Sequence, residues 1–471
     1  MKVARVLIIG AGLAGCALAE SFSRRGCQVL VLERQDRLGG AVATLPLIAQ
    51  HPALTPDVDL RSRFLIRAMQ WHAALRARQA QDLQAAFEVC GRVQPMTRER
   101  AERCLQHVPS EVACLLGGAG PSSAASAGIL FPGCAAVSPG RWWEAVLARP
   151  GVQCRLGVTV DRIEACHAAG SWPDDVLGVQ PSRLGAAASD PGGADMMRGH
   201  TQEDGRGAGA FAERNGPPFL NGSPFLNGST GWQVFDRDGV CLASADLLIL
   251  ACREQAFSLA GMREDDHGRL RMSAARVWMA RADAGRPTED PGHPALLPIM
   301  GGQGLALTRP GRFWLRSEER YQSWLQTGVW AEDDPLGEAV RSQQAVESAP
   351  TAWADYLNQP EHWHPSEVGD RLQCRDNLPM IGQAPDLAQI DLLANDLARN
   401  DRLPIPRRPG LYLLTALAGR GTLYAALGAE MIATEALGEA PVLDEALARA
   451  VDPARFIKRR LQRAWSQRAG G

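Results

Sequence analysis

Three observations predict an α/β fold that contains a dinucleotide-binding domain. The apolar strand Val3–Ile9 leads into Gly10-Ala11-Gly12-Leu13-Ala14-Gly15 and a helix from Cys16 to Arg25. A second buried strand, Gln28–Glu33, ends in an acidic residue. Near the C-terminus, Gly410 to Leu437 forms another strand, glycine turn and helix. The β-α-β order is that of a Rossmann-type domain, and the short strand-like segments between these units predict a second domain with a mixed sheet.

The composition is that of an ordinary globular protein, with 471 residues, 45% hydrophobic and 22% charged, and a formal net charge of −2. These values exclude a chain that is disordered throughout and one that holds nucleic acid by charge over its whole surface. The eleven cysteines contain no C-x-x-C pair, and His362-Trp363-His364 lacks a nearby third ligand. Val3–Phe22 is apolar but carries the glycine motif. We therefore expect a chain of the reducing cytoplasm, without a membrane span or a metal.

The glycines of the first loop stand where a dinucleotide needs them. Gly10 permits a tight turn, Gly12 lets the backbone approach a pyrophosphate, and Gly15 lets the helix pack against the strand. The helix N-terminus offers N–H donors to phosphate. Glu33 is placed to accept hydrogen bonds from ribose hydroxyls. This motif alone serves FAD and NAD equally.

The second glycine turn, Gly419-Arg420-Gly421-Thr422-Leu423, favours FAD. In flavoproteins of this architecture such a turn lies against the flavin ring, whereas simple NAD dehydrogenases have none there. The alternative is an ordinary connection between a strand and a helix.

Other segments carry weaker signals. Leu60–Val89 predicts a long helix or a helix pair, Trp142–Arg149 a helix, Val152–Ile163 a strand and Leu247–Ala251 another strand. Residues 170–230 are rich in Gly, Ala, Ser, Pro and Asp and contain a tandem hexapeptide, P-F-L-N-G-S. Such a segment cannot bury a core, so it predicts a mobile insertion or a partner-binding loop.

Several of these pieces together resemble one family. The chain is similar to the FAD-dependent C-terminal half of the bifunctional bacterial tRNA wobble-uridine modification enzymes, the MnmC family, within the glycine and D-amino-acid oxidase superfamily. The resembling pieces are Ile8–Gly15, Arg63-Phe64, Gly128-Ile129-Leu130-Phe131-Pro132, Arg375-Asp376-Asn377-Leu378-Pro379-Met380-Ile381-Gly382, Pro409–Thr422 and Asp452-Pro453-Ala454-Arg455-Phe456. They extend over almost the whole chain outside the insertion.

The resemblance implies a flavoprotein oxidoreductase with FAD that removes the carboxymethyl group from 5-carboxymethylaminomethyl(-2-thio)uridine in tRNA and releases glyoxylate. Arg371 stands where the superfamily has the arginine that pairs with the substrate carboxylate, and a guanidinium suits that role because it forms two parallel hydrogen bonds. A surface ion pair is the alternative for Arg371. The resemblance also assigns the cofactor-lining residues, which are the first loop from Gly10 to Gly15, Glu33, Arg34, Gly40, Ala41, Val160, Ala251 and Gly419 to Leu423.

The resemblance divides the chain into discontinuous domains. The α/β FAD-binding domain takes residues 1–90, 128–169, 231–262 and 368–471, and the mixed-sheet substrate domain takes residues 91–127 and 263–367. The insertion occupies residues 170–230. The flavin is expected at the interface of the two domains.

Some positions depart from the family pattern. Gly39-Gly40-Ala41-Val42-Ala43-Thr44 replaces the family's G-A-S-G-N, Cys252-Arg253 stands where relatives usually have a glycine, and the C-terminal turn lacks a serine before Arg420. Two alternatives therefore stay open, a small-molecule amine oxidase acting on glycine or sarcosine and a flavin-binding protein without turnover. Cys374 lacks the sequence context of covalent flavin attachment.

The expected partner is tRNA. Because the dinucleotide loop begins at Gly10, the sequence leaves no room for the methyltransferase domain of the bifunctional enzymes, and a separate methyltransferase is expected to act downstream. The C-terminal helix is basic and could contact a tRNA backbone, although a solvated tail is the alternative. Its cations are Arg455, Lys458, Arg459, Arg460, Arg463 and Arg468.

Overall fold

The structure is a computed structural model. It describes residues 4–42, 45, 48–50, 52–57, 59–78, 85–89, 91–116, 128–166, 231–263, 266, 270–281, 297–300, 303–304, 306–307, 313–321, 363–365, 369–400 and 402–469. The helices in these ranges are α1 (Leu13–Ser23), α2 (Leu60–Arg78), α3 (Arg98–Leu105), α4 (Pro139–Leu147), α5 (Gln255–Leu259), α6 (Leu387–Leu392), α7 (Ala394–Arg399), α8 (Gly421–Leu437), α9 (Glu445–Val451) and α10 (Arg455–Ala469). The strands are β1 (Arg5–Ile9), β2 (Gln28–Leu32), β3 (Ile48–Ala49), β4 (Phe87–Val89), β5 (Arg92–Pro95), β6 (Cys114–Leu116), β7 (Gly128–Phe131), β8 (Ala135–Val137), β9 (Val152–Arg155), β10 (Arg162–Cys166), β11 (Gly231–Phe235), β12 (Cys241–Ala245), β13 (Leu247–Leu250), β14 (Arg271–Arg281), β15 (Leu297–Met300), β16 (Gln303–Gly304), β17 (Ala306–Leu307), β18 (Phe313–Tyr321), β19 (Trp363–Pro365), β20 (Gly369–Gln373), β21 (Met380–Pro385) and β22 (Arg407–Thr415).

The principal sheet has six strands in the order β21-β22-β13-β1-β2-β9. All neighbouring pairs run parallel except β21 and β22. Its strands are nearly continuous apolar runs, which is the pattern of parallel strands covered on both faces. Alternate residues of β1 enter two separate cores, with Val6 and Ile8 in one and Leu7 and Ile9 in the other. This sheet is the Rossmann-type core that the sequence predicts.

The two faces of the sheet are covered by different elements. Residues of α1, α2, α4 and α8 pack on the face that contains Val6 and Ile8. The opposite face packs against the antiparallel sheet β10-β11-β12 and against α5, α6, α7 and α10. The carboxyl ends of β1, β2, β13 and β22 therefore form one edge between two covered faces, where ligands bind in open α/β sheets.

The remaining sheets belong to the rest of the chain. The order β16-β15-β5-β7-β6 combines the parallel pair β15 and β5 with antiparallel neighbours, which confirms the predicted mixed sheet. A second sheet, β17-β18-β14-β19 with β20 also paired to β14, is antiparallel. Residues 48–49, 87–89 and 135–137 form the third, β3-β8-β4. The domain boundaries stay a prediction.

Some local predictions need correction. Helix α1 begins at Leu13 and not at Cys16, because the glycine loop enters the helix directly. Phe87–Val89 is a strand paired with Ala135–Val137 and not the end of a helix, since pairing with a distant strand decides its conformation. The predicted strand over 152–163 is two strands with a break between them.

Three further features concern only part of the chain. The insertion 170–230 and the side chains of His362-Trp363-His364 lie outside the described residues. Within the described residues, no cluster of three or more His, Cys, Asp or Glu could hold a metal, and no helix is long and apolar enough to cross a bilayer. The ten described cysteines are free.

Candidate functional site

The first glycine loop has the geometry of a phosphate cradle. Gly10 has φ +107°, and a Cβ there would lie 2.7 Å from the Ala251 carbonyl oxygen. A Cβ on Gly15 would lie 2.0 Å from the Gly10 oxygen, so strand and helix touch at this point. A Cβ on Gly12, by contrast, would meet no described atom within 4 Å. Gly12 is the N-cap of α1 without a side-chain cap, so the open space before it faces free helix N–H donors that suit a pyrophosphate.

The carboxylate of Glu33 is fixed beside this loop. Its Oε2 accepts a hydrogen bond of 2.6 Å from the Ala11 amide and its Oε1 one of 2.9 Å from the Gln35 amide. An ionised carboxylate offers about four acceptor positions. Two therefore remain for other donors, such as the ribose hydroxyls expected there. Arg34, the next residue, is exposed.

The segment that departs from the family pattern, Gly39 to Val42, packs on the same loop. The Gly39 amide donates to the Ala11 oxygen at 2.9 Å. Gly40 has φ +54°, and a Cβ there would lie 3.5 Å from Gly12 Cα. Gly40, Ala41 and Val42 form a 3₁₀ turn. The structure thus brings predicted residues Gly40 and Gly12 together.

The second glycine turn meets the first loop although they are some 400 residues apart in sequence. Ala418, Gly419 and Arg420 form a 3₁₀ turn that leads into α8 at Gly421. A Cβ on Gly421 would lie 3.1 Å from Leu13 Cδ1. Leu13 and Gly421 begin α1 and α8, so two helix N-termini converge on one place, and their aligned dipoles favour an anionic group there. Thr422 and Leu423 lie buried in the first turn of α8.

The loop after β13 lies at the same carboxyl edge of the sheet, beside the two glycine turns. The Ala251 amide donates to the Ile9 oxygen at 2.8 Å, and the Arg253 oxygen accepts from the Thr415 hydroxyl at 3.0 Å. Arg253 has φ +52°, which is rare for a residue with a side chain. Val160 lies further along this wall, where its oxygen accepts from the Gln255 side chain at 2.8 Å.

Arg371 lies in β20, a strand that contacts both of the turns predicted to line the flavin. β20 contacts both the turn Gly40–Val42 and the turn Ala418–Arg420, and Gln373 forms an antiparallel bridge with Leu417. Burial lowers the pKa of the Arg371 guanidinium. The strand therefore brings a half-buried cation close to the predicted flavin edge, and burial strengthens charge-assisted hydrogen bonds to a carboxylate.

Sequence reasoning missed several residues that build the site. Trp143 Nε1 donates to the Ala11 oxygen at 3.1 Å, and the Thr415 hydroxyl supports Arg253. Trp143 stood within a predicted helix, but no sequence signal joins it to a loop more than 100 positions away. That Cys374 takes no part in flavin attachment stays a prediction; its side chain is fully buried, and burial raises the pKa of its thiol to about 11.

The predicted basic helix needs a correction. Arg455 is buried and pairs with Asp376, with Nε and Oδ2 3.0 Å apart. Arg460 is half-buried and pairs with the buried Asp266 at 2.8 Å. Both cations hold α10 against the protein, and the buried Arg455 is not part of an exposed basic face. Arg459 and Arg463 remain exposed on that helix.

Comparisons with known proteins agree with this geometry. Residues 5–183 match the family described as FAD dependent oxidoreductase, DAO. Among solved structures, iminodiacetate oxidase from Chelativorans sp. BNC1 is similar, with a TM-score of 0.55, 16% identity and coverage of 95% of this chain and 99% of that one. Glycine oxidase from Geobacillus kaustophilus has a TM-score of 0.54, 15% identity and coverage of 96% and 99%. These likenesses show the fold.

The fold and site are those of an FAD-dependent oxidoreductase, with FAD as its cofactor, and the family match extends over residues 5–183. Curated relatives carry a more particular name. The chain is 27% identical over 97% of its length to the "tRNA 5-methylaminomethyl-2-thiouridine biosynthesis bifunctional protein MnmC" of Burkholderia multivorans, and 28% identical over 97% to the protein of that name from Burkholderia thailandensis. It spans 60% of the length of each of these two relatives.

Proposed function

We propose that this chain removes the carboxymethyl group from 5-carboxymethylaminomethyl(-2-thio)uridine at the wobble position of tRNA. The products would be the aminomethyl base and glyoxylate. The observation that supports the proposal is that β20, the strand of Arg371, contacts both the turn Gly40–Val42 and the turn Ala418–Arg420. Relatives named for this tRNA modification, matched over 97% of the chain, supply the substrate class.

The residues of the chain fit FAD, as the open space at Gly12 and the fixed carboxylate of Glu33 indicate. When bound, FAD accepts two electrons and a proton as a hydride from the carbon between amine and carboxylate. The N–H donors of α1 and α8 would hold its anionic groups, and Glu33 its ribose. Hydrogen bonds from Gly39 and Trp143 to the Ala11 oxygen keep the loop in the conformation that these contacts require.

Arg371 orients the substrate. Two N–H···O bonds to the carboxylate would fix the methylene carbon relative to the ring, and burial strengthens them. Oxidation converts the C–N single bond to C=N, with loss of a hydride and a proton. Water then adds to the imine carbon, and cleavage of the resulting C–N single bond yields the primary amine on the base and the aldehyde of glyoxylate.

The proposed partner is tRNA, in the cytoplasm. Arg375, Arg459 and Arg463 are exposed, and Arg459 Nη1 lies 4.0 Å from Asp376, in the turn that follows β20. Cations at this place support a phosphate-binding surface near the substrate arginine. The aminomethyl product is a nucleophilic amine, and we propose that a separate methyltransferase acts on it.

Incubation of the FAD-loaded protein with tRNA that contains carboxymethylaminomethyluridine tests the proposal. After digestion to nucleosides, mass spectrometry should show that the modified base has lost about 58 Da, because a hydrogen replaces its carboxymethyl group. Glyoxylate should appear in the same reaction. Glycine and sarcosine are assayed in parallel. Their oxidation with an unchanged tRNA base would replace the proposal by a small-molecule amine oxidase.

A further inference from the structure

We infer that Arg455 is a positioning residue for Arg371, acting through Asp376 in the turn behind β20. The inference rests on the proposed function, because it takes Arg371 to be the group that binds the substrate carboxylate. It assigns to the C-terminal helix α10 a part in forming the active site. The contacts of a single guanidinium carry it.

Arg455 uses all five of its N–H donors within the protein. Nε and Nη2 bind the two oxygens of Asp376, each at 3.0 Å, and Nη2 also donates to the Leu378 oxygen at 3.0 Å. Nη1 donates to the Val451 and Asp452 oxygens at 3.2 and 3.1 Å. A bidentate fork fixes both distance and orientation of the carboxylate. The group is therefore a rigid connection between α10 and the turn.

The turn held in this way follows the strand of Arg371 directly. The Asn377 amide donates to the Cys374 oxygen at 2.9 Å, and Asn377 has φ +58°. The Leu378 amide donates to Asp376 Oδ1 at 3.2 Å. A left-handed asparagine and an aspartate bound at both oxygens define one tight conformation for residues 374–378. Because this turn begins directly after Gln373, its conformation fixes the position of the C-terminal end of β20.

β20 in turn has few ways to move once its end is fixed. Gln373 is bridged to Leu417, beside the turn Ala418–Arg420, and Arg371 lies two residues earlier in the strand. A displacement of the turn would therefore pass along extended backbone to Arg371. Misplacement of a substrate-binding group by about 1 Å can cost about 100-fold in efficiency.

The test measures binding of glycolate, a small carboxylate, to the FAD-loaded protein by the change in flavin absorbance. Arg455→Ala and Asp376→Asn should each raise the Kd for glycolate about 10- to 100-fold. Arg455→Lys should restore only part of the affinity, because a lysine has three donors and no fork. The matched control is Arg5→Ala, which breaks the pair of Arg5 with Asp246 at the opposite edge of the sheet and should leave the glycolate Kd unchanged.

A second comparison separates positioning from general damage. In an Arg371→Ala background, Arg455→Ala should add no further loss of glycolate affinity, since the group that it positions is gone. Should Arg455→Ala fail to fold, Asp376→Asn is compared in the same way. Additive losses, or unchanged binding in Arg455→Ala and Asp376→Asn while Arg371→Ala loses it, would overturn the inference alone. Unchanged binding in Arg371→Ala would overturn the role of Arg371 and the inference with it.

Discussion

Replacement of Gly12 by valine should abolish FAD binding and leave the fold almost intact. Gly12 has φ −76° and ψ −167°, an extended conformation that valine adopts without strain. A Cβ at this position would meet no described atom within 4 Å, so the added methyl groups enter only the space predicted for the pyrophosphate. The substitution is therefore a local block of the cofactor.

The expected magnitudes differ between neighbouring glycines. At Gly12 the fold loses about 1 kcal/mol, because valine is a poorer N-cap than glycine. At Gly15 an added Cβ would lie 2.0 Å from the Gly10 oxygen, and two backbones would have to separate at a cost of about 1–3 kcal/mol or more. Loss of FAD removes a further stabilisation of about 2.7 kcal/mol when free FAD is about 100 times its Kd.

Thermal unfolding with and without excess FAD measures both effects. The wild-type Tm should rise with FAD, and the Tm of Gly12→Val should equal that of the wild-type apoprotein within a few degrees and stay constant. Gly140→Val is the control, because Gly140 also faces open space in the first turn of α4 but lies outside the predicted site; its Tm should rise with FAD. A Gly12→Val protein that binds FAD as the wild type does would refute the placement of the pyrophosphate.

The remaining predictions concern other parts of the site and the surface. Arg371→Ala should lower kcat/KM by a factor equivalent to about 1.5–3 kcal/mol, and unchanged kinetics would assign Arg371 to an ion pair without a substrate role. Glu33→Gln should weaken FAD binding measured by fluorescence titration, since a charged acceptor for ribose is lost. Burial lowers the pKa of His72 from 6.5 to about 4. Between these pH values the unfolded chain binds a proton that the folded protein does not, so the free energy of unfolding should fall by on the order of 3 kcal/mol as the pH drops from about 6.5 to 4. In His72→Gln the midpoint of urea unfolding should depend less on pH over that range. Arg463→Glu should weaken tRNA binding and reduce its dependence on salt in filter-binding titrations, and an unchanged salt slope would count against this surface.

The sequence predicts this site well where the chemistry is local. The roles of Gly10 and Gly15 follow from spacing alone, because a strand that turns into a helix has only one compact arrangement. The acidic residue that directly follows β2 likewise predicts a carboxylate beside this loop, which is that of Glu33. What spacing cannot supply is which distant segments meet, such as Leu13 with Gly421 or Trp143 with Ala11. Those contacts depend on packing of whole helices across the sheet.

Charge patterns were a poorer guide than glycine patterns. Arg455 and Arg460 belong to a run of cations that suggested a nucleic-acid surface, yet both have buried or half-buried aspartate partners. A helix shows its charges in sequence, but the face that it turns to the protein depends on partners such as Asp376 and Asp266, which lie far away in the chain. Buried ion pairs and exposed patches are therefore indistinguishable from composition alone.

The departures from the family pattern change residues but keep an unusual backbone. Arg253 stands at one altered position and Ala418 lies next to another, Gly419, and both have left-handed φ values, of +52° and +51°. Each such conformation costs about 1–3 kcal/mol in a residue with a side chain and persists only where its surroundings impose it. At Arg253 the backbone is held by the Thr415 hydroxyl, which donates a hydrogen bond to the Arg253 oxygen. At Ala418 the conformation is imposed by the tight turn between β22 and α8. Because these two strained positions lie at the carboxyl edge where the two glycine loops meet, the strain is located at the predicted cofactor site. The altered side chains are thus carried on a backbone shaped for that site, which favours a working flavoenzyme over a protein that only retains the fold.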